Sequence, residues 1–116
     1  KLLAKDYGIP IVVLAQLNRV SEQMADKKPK LHNLRESGSL EQDADGVMFI
    51  HRDYMSGIKQ NEDGSSTENQ ADIIIAKWRD GEVTEYKIGF DGTKMKFFEF
   101  DDNNQLPNTP NQDLPF

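Results

Sequence analysis

Residues 34–45 read LRESGSLEQDAD. The stretch crowds a basic residue, acids, hydroxyls and a glycine into one turn and one short helical segment. Ser39, with Gln42 three positions on, forms a capping-box pattern that predicts a helix start. Ahead of it, Arg35-Glu36-Ser37-Gly38 is loop chemistry, because Gly38 lets the backbone run close to a ligand. The economical reading is a loop whose backbone and Arg35 grip phosphate, braced by the helix behind it. That helix must be short, since Gly46 opens an apolar run. Val47 to Ile50 reads as a buried strand, with His51, Arg52 and Asp53 at its end.

Upstream, Lys1 to Tyr7 carries Leu2, Leu3 and Tyr7 at helical spacing, and Gly8 suits the C-terminal stop. Ile9 to Leu17 is an almost unbroken apolar run, as in a central parallel strand covered on both faces. Gln16 closes it beside Asn18 and Arg19. Polar groups at the carboxyl end of a parallel strand lie where α/β folds bind ligands, although Gln16 would equally serve as a plain strand-end cap. Residues 19–33 are polar and rich in lysine, which predicts a mobile loop.

Downstream, residues 54–70 form a long excursion read as flexible. Asp72 to Ala76 is a third apolar strand. It runs into Lys77-Trp78-Arg79 and then Asp80-Gly81, a hairpin turn signal. Residues 82–90 alternate, with Thr84, Tyr86, Ile88 and Phe90 on one face. Asp91-Gly92 marks a second turn before a last strand at 94–100. The expected fold class is α/β, with a mixed sheet. Its parallel strands are Ile9–Leu17, Val47–Ile50 and Asp72–Ala76. Glu82–Phe90 and Lys94–Phe100 make an antiparallel edge meander, and helices cover the faces. The expected organisation is one domain over 1–100 and a disordered polar tail over 101–116, where Asn, Gln and prolines dominate.

The chain has 116 residues, enough for one small domain or a piece of a larger one. Its opening KLLAKDYG reads as the end of a helix already under way, so the expectation is a fragment. No signal peptide or transmembrane run is visible. The absence of cysteine excludes a disulfide scaffold, weighs against a zinc site and is compatible with the cytosol. A formal charge of −6 argues against a bulk electrostatic nucleic-acid binder. The charge is uneven: residues 1–30 hold six Lys/Arg against three acids, and the tail holds no base against three acids. Any grip on a polyanion must come from particular loops, chiefly Arg19 to Lys30 and the Arg35 turn.

Lys77 and Arg79, two apart on one strand, project to one face, with Trp78 on the other. Two adjacent cations repel unless water or an anion lies between them. A triphosphate terminus suits both, with Lys as a point charge and Arg as a planar fork. A solvated strand end flanked by Asp80 and Glu82 is the plainer reading. Trp78 reads as core packing or a lid before a base-stacking platform. No G-x-x-x-x-G-K-S/T phosphate cradle and no HExxH occurs, and no nucleophile–base pair stands out.

Three stretches, LAQLNRVSEQMADKKP, LRESGSLEQDADGVMFIHRD and IIIAKWRDG, resemble in order and spacing the C-terminal half of the bacterial replicative DNA helicase, the DnaB-type hexameric ring helicase. The resemblance covers about Lys1 to Phe100. It implies the C-terminal half of a RecA-like P-loop NTPase domain in a cytoplasmic enzyme that unwinds duplex DNA, with a homohexamer threading single-stranded DNA. It implies ATP and Mg2+, bound mainly by residues outside this stretch, and primase and a helicase loader as partners, with no membrane. By the same resemblance Gln16 senses the terminal phosphate, and Arg35, Glu36 and Gly38 contact the DNA backbone. Lys77 and Arg79 reach into a neighbouring subunit's nucleotide, with Arg79 as the arginine finger. The chain departs from the family at Trp78 and Asp80, where Gln and Asn are frequent. The family's phosphate cradle and magnesium-holding acid are missing, so this chain alone is expected to be inactive. The end of the tail, Asp113-Leu114-Pro115-Phe116, resembles the terminal peptide of bacterial single-stranded-DNA-binding proteins, which docks on partner proteins. The alternatives are a RecA-type recombinase or clock-type ATPase, which LRESGSLEQDAD followed by KWRDG disfavours, and a free-standing non-catalytic binding module.

Overall fold

The computed structural model describes residues 1–17, 27–37 and 39–100, with residues 35–37 as backbone only. Helix α1 spans Leu2–Tyr7. It stops where expected: Gly8 takes φ 61°, the left-handed conformation that glycine reaches without a Cβ clash. Its amide and that of Ile9 close back on the carbonyls of Lys5 and Ala4. α1 buries none of its residues.

The run 9–17 corrects the first strand prediction. It has no regular structure, and Val12 and Leu14 are 87% and 93% exposed. Apolar side chains alone do not make a strand; the backbone needs a ladder partner on at least one side, and this run has none.

The ordered centre is a four-stranded sheet, β1 Gly46–His51, β2 Gln70–Trp78, β3 Thr84–Asp91 and β4 Lys96–Phe98, in the order β1-β2-β3-β4. Every pairing is antiparallel. The strands over 47–50 and 72–76 therefore exist, but they run against each other rather than in parallel. An apolar run carries no direction, and here it does not secure burial either: β1 buries Phe49 and His51 but leaves Met48 and Ile50 each 59% exposed. β1 and β2 pair from Gly46↔Trp78 to His51↔Asp72, with a bulge between Val47 and Met48.

The excursion after β1 is more ordered than its composition predicts. It holds a 3-10 helix at Asp53–Ser56 and a bridge between Gln60 and Ser66. Its Thr67 is buried and donates its hydroxyl to the Ile58 carbonyl at 2.5 Å. The Asp80-Gly81 turn is looser than a two-residue hairpin: β2 ends at Trp78 and β3 begins at Thr84. The second turn is built on Asp91, whose Oδ1 accepts from the amides of Thr93 and Lys94 and from the Thr93 hydroxyl.

The core is small. Leu34, Phe49, Ala71 and Phe90 are the buried apolar residues among those described. Phe90 lies 5.0 Å from the Phe97 ring and 4.2 Å beneath the Arg52 guanidinium, whose Nη2 donates to the Glu68 carbonyl. Asp72, 2% exposed, sits between Lys87 at 3.1 Å and Lys28 at 3.7 Å. Lys28 also pairs with Glu85. Burial pushes the Lys28 ammonium down, but its bond to Glu85 and the charges of Asp72, Glu85 and Asp53 outweigh this and hold its pKa above the ordinary value.

Candidate functional site

The region 31–45 folds as two short helical pieces. A 3-10 helix covers Leu31–Ser37, and helix α2 covers Leu40–Asp43. Arg35 and Glu36, expected on a loop, thus lie in helical backbone, and Gly38 falls outside the described residues. Buried Leu34 explains the difference: the apolar anchor pulls the segment onto the domain, and the two helical pieces pack together. Ser39 is the N-cap residue as predicted, but its side chain makes no capping bond. Its carbonyl takes the amides of Gln42 and Asp43 instead.

Lys77, on β2, and Arg79, in the turn just after it rather than on the strand, converge on this segment. Lys77 Nζ donates to the carbonyls of Glu41 at 2.8 Å and Gln42 at 3.2 Å. These belong to the last turn of α2, where orphan carbonyls favour a cation. Arg79 holds Asp45 twice. Its amide donates to the Asp45 carbonyl at 2.9 Å, and its Nη1 pairs with Asp45 Oδ1 at 2.9 Å. The same oxygen accepts from Lys1 Nζ at 2.9 Å. The Lys1 bond holds the Asp45 carboxyl below the usual carboxylate range; slight desolvation opposes it, and the charges of Lys1, Arg79 and Lys77 add to it. Arg79 and Asp45 are 59% and 60% exposed in their side chains, so the guanidinium stands at the surface and not in the interior.

Trp78 closes the arrangement. A Cβ on Gly46 would lie 2.8 Å from its ring, and one on Gly81 2.5 Å from it, so both glycines are needed to let the indole lie across them. Asp45, Gly46, Trp78, Arg79 and Asp80 line one open pocket. The indole is therefore neither core nor detached: it is half-exposed beside the finger candidate.

Gln16 is exposed on the irregular run 9–17 and is not brought to a strand end. The tail residues Asp113, Leu114, Pro115 and Phe116 lie outside the described residues, as do Asn18 and Arg19. The sequence reading missed Asp45 as a partner of Arg79, although it lies inside the quoted stretch. The carbonyl partners of Lys77 leave no signal in a sequence. His51, expected at the end of the strand, is buried there with its Nε2 2.9 Å from Asp53 Oδ1. Among the described residues, no group of His, Asp and Glu is placed to hold a metal ion, and no helix is long and apolar enough to cross a membrane.

Comparison with known proteins supplies the family. The profile of the DnaB-like helicase C terminal domain matches residues 1–99. The replicative DNA helicase DnaB of Leifsonia xyli subsp. xyli is 45% identical over 97 residues, covering 84% of this chain and 20% of that protein. The replicative DNA helicase DnaB of Haemophilus influenzae gives the same identity and coverage. The chain thus spans about a fifth of the length of these relatives. Among solved structures, a DnaB-like replicative helicase studied for its interactions with primase aligns with TM-score 0.72 and 38% identity, over 86% of this chain and 23% of that one. A solved ATPase domain matches equally well, over 34% of its own length. With its profile match running nearly the whole length and its fold shared with those structures, the chain belongs to the DnaB-like helicase C-terminal domain family.

Proposed function

We propose that residues 1–100 are the C-terminal part of a RecA-like ATPase domain in a replicative DNA helicase, with 101–116 as a polar tail. In this reading the working protein is a cytoplasmic homohexamer that unwinds DNA by ATP-driven translocation on single-stranded DNA. Primase and a helicase loader are its partners. The supporting observation is the pair of cations at the end of β2, with an exposed Arg79 guanidinium, in a chain of this family. A fork of donors at the surface is suited to a phosphate held by an adjacent subunit.

In that role Arg79 neutralises charge developing on the terminal phosphate, and Lys77 sets the strand end on α2 and adds positive potential. The nucleotide supplies the bond that breaks. Among the described residues no group of acids is placed to hold magnesium. Arg35, Glu36 and Gly38 would meet the DNA backbone, and Gln16 would face the phosphate once the run 9–17 is paired. β1 is an edge strand of the described sheet, so its open side is the natural place for that run; a parallel pairing there would restore the mixed sheet. Docking of partners by Asp113 to Phe116 is a further part of the proposal.

The test uses the full-length helicase carrying these residues. Arg79→Ala should lower hydrolysis about 10³-fold or more while nucleotide affinity stays within a few-fold. Unchanged turnover would remove the finger assignment. Arg35→Ala should weaken single-strand binding and reduce the salt slope by roughly 0.7.

A further inference from the structure

We infer that Asp45 is a positioning residue for Arg79: its carboxylate holds the guanidinium at Nη1 and keeps the Nε–Nη2 edge presented outward. This inference rests on the reading of Arg79 as a trans-acting finger and adds the residue that aims it.

Three observations meet at Asp45. It precedes β1 directly, and its carbonyl takes the Arg79 amide at 2.9 Å, so the backbones of 45 and 79 are fixed to each other. Its Oδ1 pairs with Arg79 Nη1 at 2.9 Å, which leaves Nε and Nη2 as the two-donor edge suited to phosphate oxygens. The indole of the intervening Trp78 lies over Gly46, which locks the strand end from the other side.

Electrostatics explains why a carboxylate is needed. Lys77, Lys1 and Arg79 approach the same segment, each bonded to Glu41, Gln42 or Asp45. Without the carboxylate, like charges and solvent would scatter the long arginine side chain over many rotamers. An exposed pair of this kind contributes little to folding stability, so its value lies in orientation. Misplacement of a reacting-centre group by about an ångström costs up to 10²-fold in rate. Asp45 also follows α2, which packs on the 3-10 helix containing Arg35 and Glu36. A shift of that helix would therefore reach Arg79 through Asp45.

The experiment is steady-state ATP hydrolysis by the full-length hexamer on single-stranded DNA. Asp45→Asn should lower kcat about 10-fold, with KM for ATP and the melting temperature unchanged. Asp45→Glu should recover most of the loss. In an Arg79→Ala background, single-turnover rates should show no further effect of Asp45→Asn, because the two residues act as one unit. If Asp45→Asn leaves kcat unchanged, raises it, or lowers it equally with and without Arg79, the inference is overturned while a loss caused by Arg79→Ala still supports the finger. If Arg79→Ala itself has no effect, the finger reading fails and this inference fails with it.

Discussion

Trp78 is the only tryptophan in the chain, and it lies across Gly46 and Gly81 beside Arg79. Its fluorescence therefore reports on one place. Gly46→Ala would put a Cβ 2.8 Å from the ring, and the indole must move to admit it. The emission maximum should shift to longer wavelength as the ring swings outward, while Gly92→Ala, whose Cβ would meet only the Phe90 ring at an ordinary 3.8 Å, should leave the wavelength unaltered. Equal spectra for the two variants would show that the indole does not rest on Gly46. At this scale the sequence carried residue types well and partners poorly. The cations at 77 and 79 stood out by charge and spacing. That they meet α2 and Asp45 depends on contacts across more than thirty residues of chain, which no local pattern encodes.

The elements show the same division. Apolar runs located β1 and β2, and alternation with turn residues located β3 and β4, because side-chain period follows from backbone geometry. Strand direction and the state of the run 9–17 escaped, because both are decided by which neighbour supplies hydrogen bonds. The turn after β3 makes a prediction about acid. The Thr93 hydroxyl, with the amides of Thr93 and Lys94 and the Lys94 charge, holds the Asp91 carboxyl below its ordinary pKa of 3.8 against slight desolvation. A group depressed in the folded state adds stability that is full above its unfolded pKa and fades as pH falls through the folded one. Urea denaturation should therefore rank wild type above Asp91→Asn at pH 7, and the gap should narrow as pH falls from about 3.8 through the lower folded pKa. A gap that does not change with pH would show that the hydrogen bonds, and not the charge, are what Asp91 provides. Asp72 joins β2 to β3 through Lys87 and to the segment before the first 3-10 helix through Lys28. Removing a buried carboxylate that serves two lysines, both partly exposed, should cost about 2 kcal/mol in Asp72→Ala. The midpoint in urea measures it, and an unshifted midpoint would show that the lysines find water at no loss.

For the whole molecule, the family and the sheet together predict an incomplete machine. The chain contains no phosphate cradle, so the purified 116-residue protein should show no ATP turnover above a blank. Measurable hydrolysis that survives repurification would refute this. The run 9–17 and the open side of β1 predict a second difference between the short chain and the full-length helicase. Amides 11–16 should exchange with solvent within seconds in the first and be protected in the second, where a ladder partner is available. Fast exchange in both would remove the proposed parallel pairing.

The excursion between β1 and β2 leaves the sheet at the His51↔Asp72 end, opposite the Gly46↔Trp78 end where Arg79 stands. Its tip at Gly64 carries φ 85° and borders open space. A fluorophore or affinity tag grafted at that tip would stay clear of the cationic corner, and in the proposed hexamer it would offer a handle for watching single rings move.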